Sequence, residues 1–260
     1  MLEKFFSLRD RIAIITGAGT GIGAEIARTF SAAGAICVLS SKRDDELIAI
    51  CDEFKTRDAR HLAIACDVRD ETSVVELVKK TIGAFGRIDI VVNNAGGSYM
   101  FPFADTPIEK WDNIINLNLR GPFMLVKEAG KYMIENGGGS IVNISSTAGI
   151  NGVRGGASYS AAKCGLQMMT KVVAAEWGRH NIRANCVAPG PTASEGALRS
   201  WARAGFEPED MAANIPLRRV GTPQDIALAV LFFAADASRH ISGETLSVCG
   251  GPTMDGLSDN

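Results

Sequence analysis

Residues 12–23 read Ile12-Ala-Ile-Ile-Thr16-Gly-Ala-Gly-Thr-Gly-Ile-Gly23. A short apolar run gives way to alternating glycines, and a helical pattern follows over Ile22–Ala33. Strands buried on both faces of a parallel sheet have this near-continuous apolar composition. Glycines placed directly after such a strand let the chain turn sharply. The backbone amides that open the next helix then favour an anion such as a pyrophosphate. A glycine-rich β–α turn with no ligand carries the same letters, so the surrounding pattern decides between the two.

That pattern repeats along the chain. Apolar runs bounded by Gly, Asp, Asn or Pro predict strands at Ile12–Thr16, Ile36–Ser40, His61–Ala65, Ile88–Asn93, Ser140–Ser145, Ile182–Ala188 and Glu244–Val248. Between them, helical periodicity predicts helices at Ile22–Ala33, Asp44–Phe54, Glu71–Phe85, Ile108–Glu135, Tyr159–Gly178 and Pro223–Ala235. The alternation predicts an α/β fold: a doubly wound, Rossmann-like parallel sheet of about seven strands, with right-handed crossovers placing helices on both faces. One domain spanning residues 1–260 is expected. Pro189–Gly221 breaks the rhythm with turn residues and two short helical pieces, Ala197–Ala204 and Glu209–Asn214. Irregular connections of this length inside a domain are usually functional, and residues 189–221 are expected to form a substrate lid.

Composition narrows the function. The chain has 260 residues, 46% of them hydrophobic, which suffices for one large core. A formal net charge of −2 gives no reason to expect nucleic acid as a partner. Six scattered cysteines without a C-x-x-C pair, and three histidines far apart, argue against a disulfide framework and against a metal site. The first residues lack the apolar core of a secretory signal, and no run reaches the ~20 apolar residues of a membrane span. A soluble cytoplasmic protein is expected.

Two further stretches bear on chemistry. The second strand ends Ser40-Ser41-Lys42-Arg43, without the acid that binds an adenosine ribose at this position in NAD sites. Two cations would instead attract a 2′-phosphate, so NADP(H) is favoured and NAD(H) remains possible. The alternative is a solvated helix start, in which Asp44, Asp45 and Glu46 complement the helix dipole. Further on, Tyr159-Ser-Ala-Ala-Lys163 places a phenol and an ammonium on one helical face. A phenol normally titrates near pH ~10, and a neighbouring cation favours its ionised form. That makes a proton-transfer group for an alcohol or ketone, although an ordinary solvated helix face can show the same spacing.

Four more stretches complete the set: Asn93-Asn-Ala-Gly96, Asn118-Leu-Arg-Gly121, Ile144-Ser-Ser146 and Pro189-Gly190. With Thr16–Gly23 and Tyr159–Lys163, the chain resembles the short-chain dehydrogenase/reductase family over its whole length. The resemblance implies roles. Tyr159 would be the general acid/base, and Lys163 would lower its pKa and bind the nicotinamide ribose. Ser146, thirteen residues before Tyr159, would hold the substrate oxygen in preference to Ser145. Asn118 would break helical bonding and anchor a relay water. Gly17, Thr20, Gly21, Ile22 and Gly23 would form the pyrophosphate turn. Ser41, Lys42 and Arg43 would face the adenosine ribose, and Asp67 and Val68 the adenine. Asn93, Ala95 and Gly96 would line the cofactor, and Pro189, Gly190, Thr192 and Ser194 would hold the carboxamide side. The family pairs the helices Ile108–Glu135 and Tyr159–Gly178 between subunits. The surplus apolar residues Phe123, Val126, Met133, Leu166, Met169 and Val173 therefore suggest a homotetramer.

The implied reaction is interconversion of a secondary alcohol and a ketone. Within the family the chain is similar to bacterial hydroxysteroid dehydrogenases and to β-ketoacyl carrier-protein reductases. Tyr99-Met-Phe101, with Leu198, Trp201, Phe206, Met211 and Ile215, would suit a lipophilic substrate or pack as a lid on the protein's own core. Ala188–Gly196 also resembles dienoyl-CoA reductases, which tend to lack the tyrosine present here. A non-catalytic dinucleotide sensor is the alternative from another class, and the complete set Asn118, Ser146, Tyr159 and Lys163 argues against it.

Overall fold

The computed structural model describes residues 2–56 and 59–251. Seven strands form one sheet: β1 (Ile12–Thr16), β2 (Ile36–Ser41), β3 (His61–Ala65), β4 (Ile90–Asn93), β5 (Gly139–Ile144), β6 (Ile182–Pro189) and β7 (Thr245–Val248). The helices are α1 (Leu2–Phe6), α2 (Gly21–Ala32), α3 (Asp44–Thr56), α4 (Glu71–Phe85), α5 (Ile108–Ile115), α6 (Gly121–Glu135), α7 (Ala148–Asn151), α8 (Ala157–Trp177), α9 (Glu195–Ala204), α10 (Pro208–Ala212) and α11 (Pro223–Ala234). The strand order is β3-β2-β1-β4-β5-β6-β7, with every pairing parallel. This is the Rossmann-like doubly wound sheet that the alternation predicts, in a single domain.

The central strands are buried on both faces, which explains their unbroken apolar runs. In β1, Ala13 and Ile15 join the core under α2, α3 and α11, with Phe30, Phe54 and Phe233. Ile12 and Ile14 point the other way, into the core under α4 and α6, with Leu77, Leu125 and Met133. The direction of winding reverses between β1 and β4. Ligands of such sheets bind in the crevice beyond the carboxyl ends of the strands at that switch point. No described helix is long and apolar enough to cross a membrane.

Two expectations are corrected. The pattern over Ile108–Glu135 predicts one helix, but a π-helical turn at Asn116–Arg120 divides it. The Asn118 amide donates to the Ile114 carbonyl at 3.0 Å, taking an acceptor the backbone would use, and to the Gly97 carbonyl at 2.9 Å. Of the apolar residues assigned to a second helical face, Val126, Met133 and Leu166 are buried in the chain's own core. The exposed large apolar residues of these segments are Ile108, Phe123, Met168 and Val172.

Candidate active site

The switch point is stitched together by Thr16 and Asn94. Thr16 Oγ1 accepts from the backbone amides of Asn94 and Ala95, each at 3.1 Å. Asn94 Nδ2 donates back to the carbonyls of Thr16 at 2.9 Å and Gly17 at 3.1 Å. These bonds hold the glycine turn against the Asn93–Gly96 loop. Gly17 and Gly21 have φ of 64° and 56°, a backbone region side chains disfavour. At Gly23 a Cβ would fall 2.0 Å from the Gly17 carbonyl oxygen. The turn is therefore a cradle closed to side chains, with α2 starting behind it, and it fits a pyrophosphate.

The tip of β2 is more crowded than its sequence suggests. Ser41 Oγ donates to Glu46 Oε2 at 2.9 Å. Arg43 reaches Asp45 Oδ2 at 2.8 Å and Glu46 Oε1 at 3.2 Å. Lys42 is exposed beside them. A cleft of about 590 Å³ opens here, walled by Gly19, Thr20, Arg43 and Glu46 on one side and by Glu195 and Arg199 of α9 on another. Asp67 is bonded by the Arg69 guanidinium, which holds its carboxyl below the usual range. Val68 is buried.

The residues read as catalytic are carried by three parts of the chain that converge. Asn118 lies in the π-helical turn, Ser146 follows β5, and Tyr159 and Lys163 are on α8. A Cβ at Gly96 would meet Asn118 Oδ1 at 2.8 Å and Lys163 Nζ at 3.4 Å, so all three surround one small space. Lys163 is buried and donates to the Ile144 carbonyl at 2.7 Å. Its Nζ is 5.6 Å from the Tyr159 ring centre. Burial pushes the Lys163 ammonium down to about 8. The Tyr159 phenol is pushed up by burial, while the Ser146 hydroxyl beside it acts the other way. In the protein alone, burial thus opposes the lowering of the phenol expected from Lys163.

Ser145 and Ser146 separate cleanly. Ser145 is buried, donates to the Lys163 carbonyl at 3.1 Å and accepts from Gln167 at 2.8 Å. It fixes α8 to the end of β5, and Ser146 is left facing Tyr159. A buried chain of side chains lies beneath them. Asn93 Nδ2 donates to Asn143 Oδ1 at 2.8 Å, and Asn143 Nδ2 donates to Thr170 Oγ1 at 2.8 Å. It ties β4 and β5 to α8. Sequence reading misses Asn94, Asn143, Gln167 and Thr170 as positioning residues, although Gln167 and Thr170 follow Lys163 at helical spacing.

Pro189, the last residue of β6, is buried, and beyond it the Thr192 hydroxyl donates to the Gly190 carbonyl at 3.0 Å. Ser194 caps α9, accepting from the Ala197 amide at 3.3 Å. A Cβ on Gly21 would meet Ser194 Cβ at 3.3 Å, so α9 begins directly over the glycine turn near Ile22. Leu198 and Phe206 are exposed on this segment, whereas Ile215 is buried in the chain's own core.

The family model described as "Enoyl-(Acyl carrier protein) reductase" matches residues 17–253. The chain is 34% identical to an NAD-dependent glycerol dehydrogenase of Listeria innocua, covering 97% of this chain and 97% of that protein. It is 35% identical to a 3-oxoacyl-(acyl-carrier-protein) reductase of Thermotoga maritima, covering 94% and 98%. A solved structure of a 7α-hydroxysteroid dehydrogenase complexed with NADH and 7-oxo glycochenodeoxycholic acid superposes with a TM-score of 0.89 at 36% identity, covering 95% of this chain and 96% of that one.

Proposed function

From the premise that the chain belongs to the short-chain dehydrogenase/reductase family, and is one of its alcohol dehydrogenases and ketoreductases, we propose that Asn118, Ser146, Tyr159 and Lys163 perform the reaction. The meeting of Asn118 and Lys163 at Gly96, with the Tyr159 ring beside Lys163 and the Ser146 hydroxyl beside Tyr159, carries the reading. A bound nicotinamide dinucleotide supplies or accepts the hydride. Tyr159 gives its proton to the substrate oxygen in reduction and takes it back in oxidation. Ser146 holds that oxygen beside the phenol. Lys163 favours the phenolate and has donor protons beyond the one given to Ile144, which suit ribose hydroxyls. Asn118 unwinds the helix locally, a feature often found at functional sites. The test is Tyr159→Phe. Dinucleotide binding, followed by fluorescence, should persist while turnover falls by about 10²–10⁴-fold. A variant within about twofold of wild type would remove Tyr159 from the mechanism.

The finer assignments are part of the same proposal. A lipophilic alcohol or ketone, of hydroxysteroid or 3-oxoacyl type, is supported by exposed Tyr99, Met100, Leu198 and Phe206. Small polyols outcompeting such ketones in a substrate panel would reject it. Residues 189–221 act as the lid. NADP(H) is favoured by Lys42 and Arg43, although two of the relatives above carry NAD or NADH in their names. A homotetramer is supported by exposed Phe123, Met168 and Val172; a monomer in light scattering would defeat it. A cytoplasmic location fits the free cysteines, and recovery from an oxidising compartment would contradict it.

A further inference from the structure

The β2 tip lacks an acid of its own, yet an acid is present there. Glu46 comes from the first turn of α3 and folds back over the glycine turn. A Cβ on Gly19 would fall 2.4 Å from Glu46 Cβ, so the two are in direct contact. The Glu46 side chain is only 18% exposed. One carboxylate oxygen takes the Ser41 hydroxyl at 2.9 Å, and the other faces the Arg43 guanidinium at 3.2 Å. Glu46 therefore engages two of the three residues that would meet a 2′-phosphate, and with Arg43 and Asp45 it lines the adjoining cleft.

We infer that Glu46 sets how strongly this site discriminates between 2′-phosphorylated and unphosphorylated dinucleotides. The inference rests on the dinucleotide-binding reading above. A 2′-phosphate entering between Lys42, Arg43 and Ser41 meets the Glu46 charge and must draw Arg43 away from it. A free ribose hydroxyl meets no such repulsion and can donate to the same carboxylate, as it does to a strand-tip acid. Glu46 thus counteracts the two cations, and the preference for NADP(H) is smaller than Lys42 and Arg43 alone would produce. Asp45 also pairs with Arg43, but it is exposed, does not hydrogen-bond Ser41 and is more open to screening by salt.

The experiment measures dissociation constants of NADPH and NADH for the full chain by fluorescence, without substrate, in wild type, Glu46→Gln and Asp45→Asn. Gln keeps the shape and removes the charge. The ratio of NADH to NADPH dissociation constants should rise roughly tenfold in Glu46→Gln, the effect of one unit charge a few ångströms away in a solvated cleft. Asp45→Asn should change the ratio by less than about threefold. A Glu46→Gln ratio within about twofold of wild type, or an equal shift in Asp45→Asn, overturns the inference. A wild type that prefers NADH, with the Glu46→Gln ratio still rising tenfold, rejects the NADP(H) preference and supports the role of Glu46. A wild type that binds neither dinucleotide removes both.

Discussion

Lys163 gives a stability signal that can be measured without knowing the substrate. Its ammonium is buried, its hydrogen bond is to a neutral carbonyl, and among the described residues no carboxylate pairs with it. Burial lowers its pKa from 10.5 to about 8 in the folded protein. At 1.36 kcal/mol per pH unit, this difference corresponds to about 3 kcal/mol. The sign follows from counting protons. Below pH 8 the folded and unfolded chains both carry the proton, and the folded chain bears the full cost of a buried charge. Between pH 8 and 10.5 the folded chain has released the proton and the unfolded chain still holds it, so this contribution to stability improves as pH rises. Above that window neither carries it and the cost is gone.

Lys163→Met removes the titration and keeps much of the volume. Urea unfolding of the protein without dinucleotide, at a series of pH values across this window, gives the comparison. Relative to wild type, the variant should lose about 3 kcal/mol of stability advantage between the lower and upper ends. Cys37 and Cys186, whose thiols burial pushes up to about 12 and about 11, contribute with the opposite sign. Their unfolded thiols ionise first, so stability falls as pH rises through their range. They are present in both proteins and cancel in the difference, apart from the attraction between Cys186 and Lys163. A difference that stays flat with pH, or slopes the other way, would show that the ammonium is not buried as described. The same variant should lose turnover, because the cation beside Tyr159 is gone.

Ala at both Lys42 and Arg43 should raise KM for NADPH far more than for NADH, with an effect that shrinks in salt; equal changes would refute it. Gly130→Ala tests α6 against α8: a Cβ there would lie 2.3 Å from the Trp177 ring. The variant should lose about 1–3 kcal/mol by overpacking, although Ala is the better helix former by about 1 kcal/mol; a gain in urea stability would show that the ring yields. Amides from Ala193 to Asn214 should exchange quickly without ligand and slowly with dinucleotide and substrate. Protection equal to that of the central strands in the free protein would make the segment scaffold.

Much of the architecture was legible because both kinds of element carry local signals. β1 and β3 have the predicted ends, since each apolar run stops where its flanks become polar or glycine-rich. α4 has them too, with Asp70 capping its start and Gly86, at φ 73°, ending it. What was missed depends on contacts between distant segments. Periodicity does not show the π-helical turn, which only the resemblance at Asn118 suggested; there the Asn118 amide bonds the Gly97 carbonyl, 21 residues away, as well as the local Ile114 carbonyl. Periodicity shows that Val126, Met133 and Leu166 are apolar but not whether they meet their own sheet or another subunit. Glu46 is the sharpest case. Three acids after Arg43 read naturally as partners of a helix dipole, and Asp44 and Asp45 do remain exposed. Glu46 differs because β1 and β2 pair in parallel and bring Gly19 beneath α3, where a residue without a side chain leaves room for it. The ribose-binding acid is sought at the strand tip because a short side chain there reaches the ribose directly. The geometry here requires only a carboxylate near Ser41, and a longer side chain returning from the next helix provides one. An absent tip acid is therefore weak ground for cofactor choice until the first turn of the following helix has been located.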